Sequence, residues 1–84
     1  MHTKYLNELS DEFLKLKTSN EIASFLEALL TPKEIREIPK RLQIIKLLKR
    51  GLSHRDVAEK LKVGIATVSR GSRELLHGNF KNIE

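Results

Sequence analysis

The residues best suited to chemistry in this 84-residue chain lie between Ser53 and His77. Arginine can donate two hydrogen bonds to one guanine, hydroxyl groups can bond a base edge or a phosphate, and isoleucine or alanine can contact a thymine methyl group. Lys60, Arg70 and Arg73 are better placed as phosphate contacts, which position a protein without reading sequence. The set predicted to contact DNA is His54, Arg55, Gly64, Ile65, Ala66, Thr67, Ser69, Arg70 and Arg73.

Two short helices joined by a tight turn must position these side chains. Ser53 precedes Asp56 by three residues, which is typical of a helix N-cap. Leu61 to Gly64 form the expected turn, and the second helix begins at Ile65. The small or apolar residues expected to fill the angle between the helices are Val57, Ala58, Leu61, Val63 and Val68. This spacing predicts a helix-turn-helix over residues 53–77, whose second helix presents its first residues to the major groove of duplex DNA.

One position in the turn departs from the usual pattern of this motif. Lys62 stands where glycine is common, because the backbone there takes a left-handed conformation. A lysine adopts that conformation at a cost of roughly 1 kcal/mol. The sequence therefore predicts that Lys62 is left-handed.

Basic residues are concentrated in the second half of the chain. Residues 1–39 contain five Lys or Arg against seven Asp or Glu, whereas residues 40–84 contain eleven against four. Such a surface attracts polyanions, because each phosphate that it neutralises releases condensed counterions. The asymmetry indicates a nucleic-acid partner, and charge alone leaves open a basic surface that is merely solvated.

The rest of the chain also has helical patterns, so the fold class is all-α. An apolar stripe with three- and four-residue spacing predicts a first helix over residues 3–17. Thr18 and Thr31 each precede a glutamate by three residues, and these capping boxes predict the starts of a second and a third helix. Pro39 is expected to kink or briefly break the third helix, and Gly51 to cap its end.

We interpret the chain as one domain that forms a homodimer. Residues 1–51 are the expected dimerisation part, because their apolar residues exceed what one small partner module can cover. Residues 53–77 are the helix-turn-helix and residues 78–84 a loosely held tail. The absence of cysteine, of a leader and of a membrane-spanning stretch leads us to expect a cytoplasmic protein with no membrane contact.

From Leu30 to about Leu75 the sequence resembles the tryptophan repressor family. The matching segments are Leu30-Thr31-Pro32-x-Glu34, Arg41, Arg50-Gly51, Ser53-x-Arg55 and the run Gly64-Ile65-Ala66-Thr67-Val68-Ser69-Arg70-Gly71-Ser72. The resemblance implies an intertwined helical dimer that represses transcription from a pseudo-palindromic operator, with half-sites about one helical turn apart. It also implies that many base contacts pass through water.

The same resemblance implies an effector site but no required cofactor. In tryptophan-responsive members the indole lies between two guanidinium groups, which correspond here to Arg41 and Arg70, and the backbone of residues 28–30 receives the ammonium. The implied effector residues are Thr31, Arg41, Thr67, Arg70, Gly71 and Glu74. Glu74 replaces a serine of those members and is expected to pair with Arg70 four residues earlier. Glu74 and a turn one residue shorter argue against L-tryptophan and leave another small effector, or none, as alternatives.

Other classes of function fit the sequence less well. The three histidines lack metal-ligand spacing, and no phosphate loop or nucleophile motif occurs, so neither an enzyme nor a metal site is expected. Single-stranded RNA recognition usually uses stacking aromatic residues, and none lies in the basic helices. The remaining alternative is a helical dimerisation or adaptor module that uses the helix-turn-helix for protein contacts.

Overall fold

The computed structural model describes residues 2–84, with side chains from Thr3 onwards, and this part of the chain is all-α. Its helices are α1 (His2–Leu14), α2 (Ser19–Leu29), α3 (Pro32–Lys49), α4 (His54–Leu61) and α5 (Ile65–Leu76). No strand occurs between residues 2 and 84, which confirms the predicted fold class. None of these helices has the length and apolarity needed to cross a membrane.

The described chain divides into two compact units, of which the first ends at Ile35. In this unit the Thr18 hydroxyl accepts from the Glu21 amide at 3.1 Å and the Glu21 carboxylate accepts from the Thr18 amide at 3.1 Å, which confirms the capping box. The rings of Phe13 and Phe25 meet edge to face, with centroids 5.2 Å apart. Helix α1 ends at Leu14, three residues before the predicted residue 17. After Leu14 the amides of Lys15 and Leu16 donate to carbonyls three residues earlier, as in a 3₁₀ turn, and the α-helical pattern stops.

The second unit comprises Arg36–Glu84 and therefore begins well before the predicted start of the helix-turn-helix at residue 53. Helix α3 runs without interruption through Pro39, so the alternative of a break there is wrong. The proline removes one backbone donor, but the helix continues because its following turns bury Ile44, Ile45 and Leu47. Gly51 follows with a φ of 95°, as expected of a residue that ends a helix.

A small core holds the last part of α3 against α4 and α5. The fully or largely buried members are Ile44, Leu47, Val57, Ala58 and Val68, and Leu48, Leu52, Leu61 and Val63 pack against them. All five residues expected to fill the angle between α4 and α5 belong to this group. Helix α5 approaches α3 closely at Gly71, where an added Cβ would lie 2.9 Å from the Ile44 side chain. The core thus fixes the orientation of α5, which carries most of the predicted DNA contacts.

Candidate nucleic-acid interface and adjoining cavity

Local backbone geometry sets the turn between α4 and α5. The Ser53 hydroxyl accepts from the Asp56 amide at 3.1 Å and starts α4. Lys62 ends α4 with φ 57° and ψ 50°, and its amide donates to the Ala58 carbonyl. The left-handed lysine predicted from the sequence is confirmed. Gly64 is the N-cap of α5 and has an extended backbone conformation.

Replacing Lys62 by glycine is expected to raise the free energy of unfolding by about 1 kcal/mol, because glycine has no Cβ to strain in this conformation. Lys62→Ala is the matched control: it removes the charge but keeps the Cβ, and should change stability by less than about 0.5 kcal/mol. Urea denaturation measures both. Equal stability of the two variants would contradict strain at this residue.

The first turn of α5 faces solvent, while Val68 in the same helix packs in the core. Ile65 is 51% exposed and Ala66 and Thr67 are also exposed, whereas Val68 is 0% exposed. Gly64 contributes no side-chain hydrogen bond to the helix start. Among the described residues no side chain caps the amides of this turn, and the partial positive charge of the Ile65 and Ala66 amides favours an anion.

The other residues predicted to contact DNA are also accessible. His54 and Arg55 are exposed in the first turn of α4, and Arg70 and Arg73 are exposed on α5. Ser69 is half-buried beside the buried Val68, so it offers less of its surface than the sequence suggested. The structure therefore leaves the cationic members of the set free to approach a duplex.

A cationic cleft that the motif did not predict lies beside the start of α5. The cleft has a volume of about 320 Å³, and the charged residues in its wall are three cations, Lys40, Arg41 and Lys62, and one carboxylate, Glu37. Its wall also contains Gly64 and Thr67, which connects it directly to the exposed turn. The excess of basic residues after position 39 was the available signal, but Lys40 belongs to α3, outside the motif. With three cations against one carboxylate, the cleft next to the predicted reading turn has a positive charge that favours an anion.

A larger cavity of about 590 Å³ lies between α3 and α5. Five of the six residues in the implied effector set line it: Arg41, Thr67, Arg70, Gly71 and Glu74. Much of the remaining wall is apolar and is formed by Ile38, Leu42, Ile44, Ile45, Ala66 and Phe80. Two guanidinium groups, one carboxylate and an apolar wall suit a ligand with both a charged and an apolar part.

Thr31, the sixth residue of that set, lies in the first unit, immediately before the start of α3 at Pro32. Its hydroxyl accepts from the Glu34 amide at 3.3 Å, and its own amide donates to the Glu34 carboxylate at 2.9 Å. This donation by the backbone holds the pKa of the Glu34 carboxyl below its usual value. The Thr31 hydroxyl therefore serves as a helix cap in the structure.

Glu74 has a different partner from the one that its spacing predicted. Its carboxylate accepts a hydrogen bond of 2.8 Å from the Asn79 side chain. Among the described residues no ion pair joins Glu74 to Arg70, so that prediction is wrong. Asn79 can reach Glu74 because Gly78, with a φ of 84°, turns the chain back after α5. Arg70 thus remains available to a ligand or to DNA.

Residues 78–84, which we call the C-terminal strap, are held more firmly than the sequence suggested. Besides the bond from Asn79, the ammonium of Lys49 donates to the carbonyls of Phe80 at 2.9 Å and Lys81 at 3.3 Å, and also to that of Ile83. The Phe80 side chain forms part of the cavity wall. No local pattern predicts this contact, because Lys49 and Phe80 are 31 residues apart.

Comparison with known proteins agrees with this architecture. Residues 4–82 match the model of the Trp repressor protein family. The chain is 32% identical over 76 residues to the uncharacterized protein YerC of Bacillus subtilis, covering 90% of this chain and 73% of YerC. It is 47% identical over 51 residues to a Trp operon repressor homolog of Vibrio vulnificus, covering 60% of this chain and 50% of that protein.

A second such homolog, from Vibrio parahaemolyticus, is 43% identical over 58 residues, covering 68% of this chain and 56% of the relative. The chain therefore spans about half the length of the Trp operon repressor homologs that it matches. No solved structure matches it. The family match nevertheless extends over α1 to α5 and into the strap, and the chain thus belongs to the Trp repressor family, whose members are DNA-binding transcriptional regulators and not enzymes.

Proposed function

We propose that this protein is a sequence-specific regulator of transcription, acting as a repressor, that binds a pseudo-palindromic operator in duplex DNA as a homodimer. The observation that carries the proposal is the start of α5, where Ile65, Ala66 and Thr67 are exposed while Val68 is fully buried. A helix anchored in this way can enter the major groove without disturbing the core.

The distribution of cations supports binding to the DNA backbone. Lys40, Arg41 and Lys62 outnumber the one carboxylate, Glu37, in the wall of the cleft beside the exposed turn, and Arg55 and Arg73 are exposed on α4 and α5. Phosphate contacts of this kind fix the register of a protein on the duplex, and the exposed turn then reads base edges.

Exposed apolar residues in the first unit support the homodimer. Tyr5 and Leu6 are each 61% exposed, Leu14 is 83% exposed and Leu29 is 52% exposed. No residue of α2 is buried. A chain of this size gains stability by covering such a surface with a second copy, and a dimer brings two reading turns to one operator.

A salt titration of DNA binding tests the proposal. The logarithm of the association constant should fall with the logarithm of salt concentration, with a slope near −0.9 per phosphate neutralised. For about six phosphates the affinity falls roughly a thousandfold between about 50 and 200 mM salt. Arg73→Gln should make the slope shallower by about one for each bound protomer. Fluorescence anisotropy with a labelled duplex measures both quantities.

Lys17→Gln, which removes an exposed cation from the first unit, is the matched control and should leave the slope unchanged. Sedimentation equilibrium on the same samples should give twice the chain mass. An adaptor that uses α4 and α5 for protein contacts would instead bind duplex DNA weakly or not at all. A sedimentation mass equal to that of one chain would exclude the dimeric operator complex.

The cavity between α3 and α5 supports control by a small amino-acid-like effector. Arg41 and Arg70 offer guanidinium groups to a carboxylate, and Glu74 has a second carboxylate oxygen for an ammonium. Calorimetric titration with L-tryptophan tests the family's named ligand: micromolar binding would identify it as the effector. If no heat of binding is measured, L-tryptophan is not the effector, and other small amino acids should be titrated in the same way.

A further inference from the structure

The C-terminal strap crosses from the end of α5 to the end of α3. At its beginning the Gly78 amide donates to the Leu75 carbonyl at 3.0 Å, and Asn79 bonds Glu74 at 2.8 Å. At its other end Lys49, the last residue of α3, donates to strap carbonyls. Both helices that border the cavity therefore hold the strap.

Lys49 provides a suitable anchor for three carbonyl groups. An ammonium has three N–H donors and no acceptor, and in this structure the carbonyls of Phe80, Lys81 and Ile83 accept from it. The anchor is exposed to water, and no strap residue belongs to the buried core. The loss of this anchor would therefore release the strap from Phe80 onwards while leaving Asn79 bonded to Glu74 and the core intact.

Phe80 is the one strap residue that reaches the cavity wall. Its side chain is half-buried and lines the cavity together with Arg41, Arg70 and Glu74. Glu74 is also the residue that Asn79 bonds. A ligand in the cavity would thus meet both the aromatic ring of the strap and the carboxylate that holds the strap in place.

We propose that Phe80 is a ligand-contacting wall of this cavity and that Lys49 is the positioning residue that holds it there. The inference rests on the proposed effector function of the cavity and adds the strap to it. An aromatic ring beside two guanidinium groups selects ligands that combine a flat apolar group with an anion. Removal of the anchor lowers affinity for such ligands because the ring no longer has a fixed position.

The positioning role can be tested without any ligand, because the chain contains no tryptophan. Phe80→Trp introduces one indole at the cavity wall, and its emission should resemble that of a partly buried indole. Adding Lys49→Met should shift the emission towards that of free tryptophan, whereas Lys49→Arg, which also donates to carbonyls, should restore it. Lys60→Met, an exposed lysine on α4, is the matched control. Identical emission with Lys49 and with Lys49→Met would overturn the positioning role.

The binding role is tested with the probe 1-anilinonaphthalene-8-sulfonate, which combines flat aromatic rings with one anion. Its affinity should fall about tenfold in Phe80→Ala and in Lys49→Met, the loss expected for one aromatic contact. Lys49→Arg should retain most of the affinity, and Arg70→Gln should also weaken binding. Probe binding that is insensitive to Phe80→Ala would overturn the assignment of this wall.

DNA affinity without a ligand separates this inference from the proposed function. Phe80→Ala should bind operator DNA as the parent does, because Phe80 contributes no exposed cation and no core packing. If the parent fails to bind DNA while the emission and probe results hold, the proposed regulator is wrong and the strap-walled cavity stands. If DNA binding is normal and the probe result fails, only the strap inference is lost.

Discussion

Ile65→Glu is expected to lower the affinity for duplex DNA by at least about a hundredfold, because it brings an unpaired carboxylate into a groove that is lined by phosphates. The same substitution should leave the free energy of unfolding equal or raise it by about 0.3–1 kcal/mol. Ile65 is the first residue of α5, and this helix has no acidic residue in its first turn to complement the helix dipole. Half of the Ile65 surface is exposed, so little packing is lost.

The opposite signs of these two effects separate recognition from folding. Ile65→Gln is the matched control, since it has the same shape as the glutamate without its charge and should lose far less affinity. Anisotropy gives the affinities, and urea denaturation gives the stabilities. Retention of parental DNA affinity by Ile65→Glu would mean that the start of α5 does not lie in a groove.

Ile44→Ala is expected to lower the free energy of unfolding by about 2–5 kcal/mol. Ile44 is 2% exposed and packs in the small core with Val57 and Val68. The core of this unit has only five buried members among the described residues, so a cavity there removes a large fraction of its stability. Leu42→Ala on the same helix is the control. Because Leu42 is 40% exposed, this substitution should lower the free energy of unfolding clearly less than Ile44→Ala does. Comparable losses for the two variants would contradict the position of the core.

A double-mutant cycle with Gly71 extends this test to the contact between α3 and α5. Gly71→Ala alone should cost about 1–3 kcal/mol, because its Cβ would lie 2.9 Å from Ile44 Cγ2. In Ile44→Ala that atom is absent, so the combined loss should be smaller than the sum of the two single losses. Strict additivity would show that the helices do not touch at this point. Denaturation of the four proteins completes the cycle.

The features that were predicted correctly depend on residues close together in the chain. Thr18, Thr31 and Ser53 each bond the amide three residues later, and such caps are visible as short spacings. Lys62 is left-handed at the C-terminal cap of α4, a position where helices commonly end in that conformation. The apolar residues between α4 and α5 also follow helical periodicity, so their burial could be predicted.

The features that were missed depend on packing between distant segments. The tendency of Pro39 to break a helix is overridden by the burial of Ile44 and Ile45 in the turns that follow. Glu74 pairs with Asn79 instead of Arg70 because Gly78 folds the strap back. The contact between Lys49 and Phe80 joins positions with no shared periodicity. Spacing along one helix could not reveal any of these outcomes.

The uncapped start of α5 has a thermodynamic consequence for complex formation. Gly64 supplies no side-chain acceptor, and its carbonyl accepts from the Thr67 and Val68 amides, so in the free protein the amides of Ile65 and Ala66 are left to water. A phosphate oxygen that docks there replaces mobile solvent by a fixed acceptor and suppresses fraying of the same turn that reads the bases. The reading turn therefore becomes ordered only when the operator binds. A duplex that fits poorly places no phosphate at the helix end, and the first turn of α5 then frays as it does in the free protein.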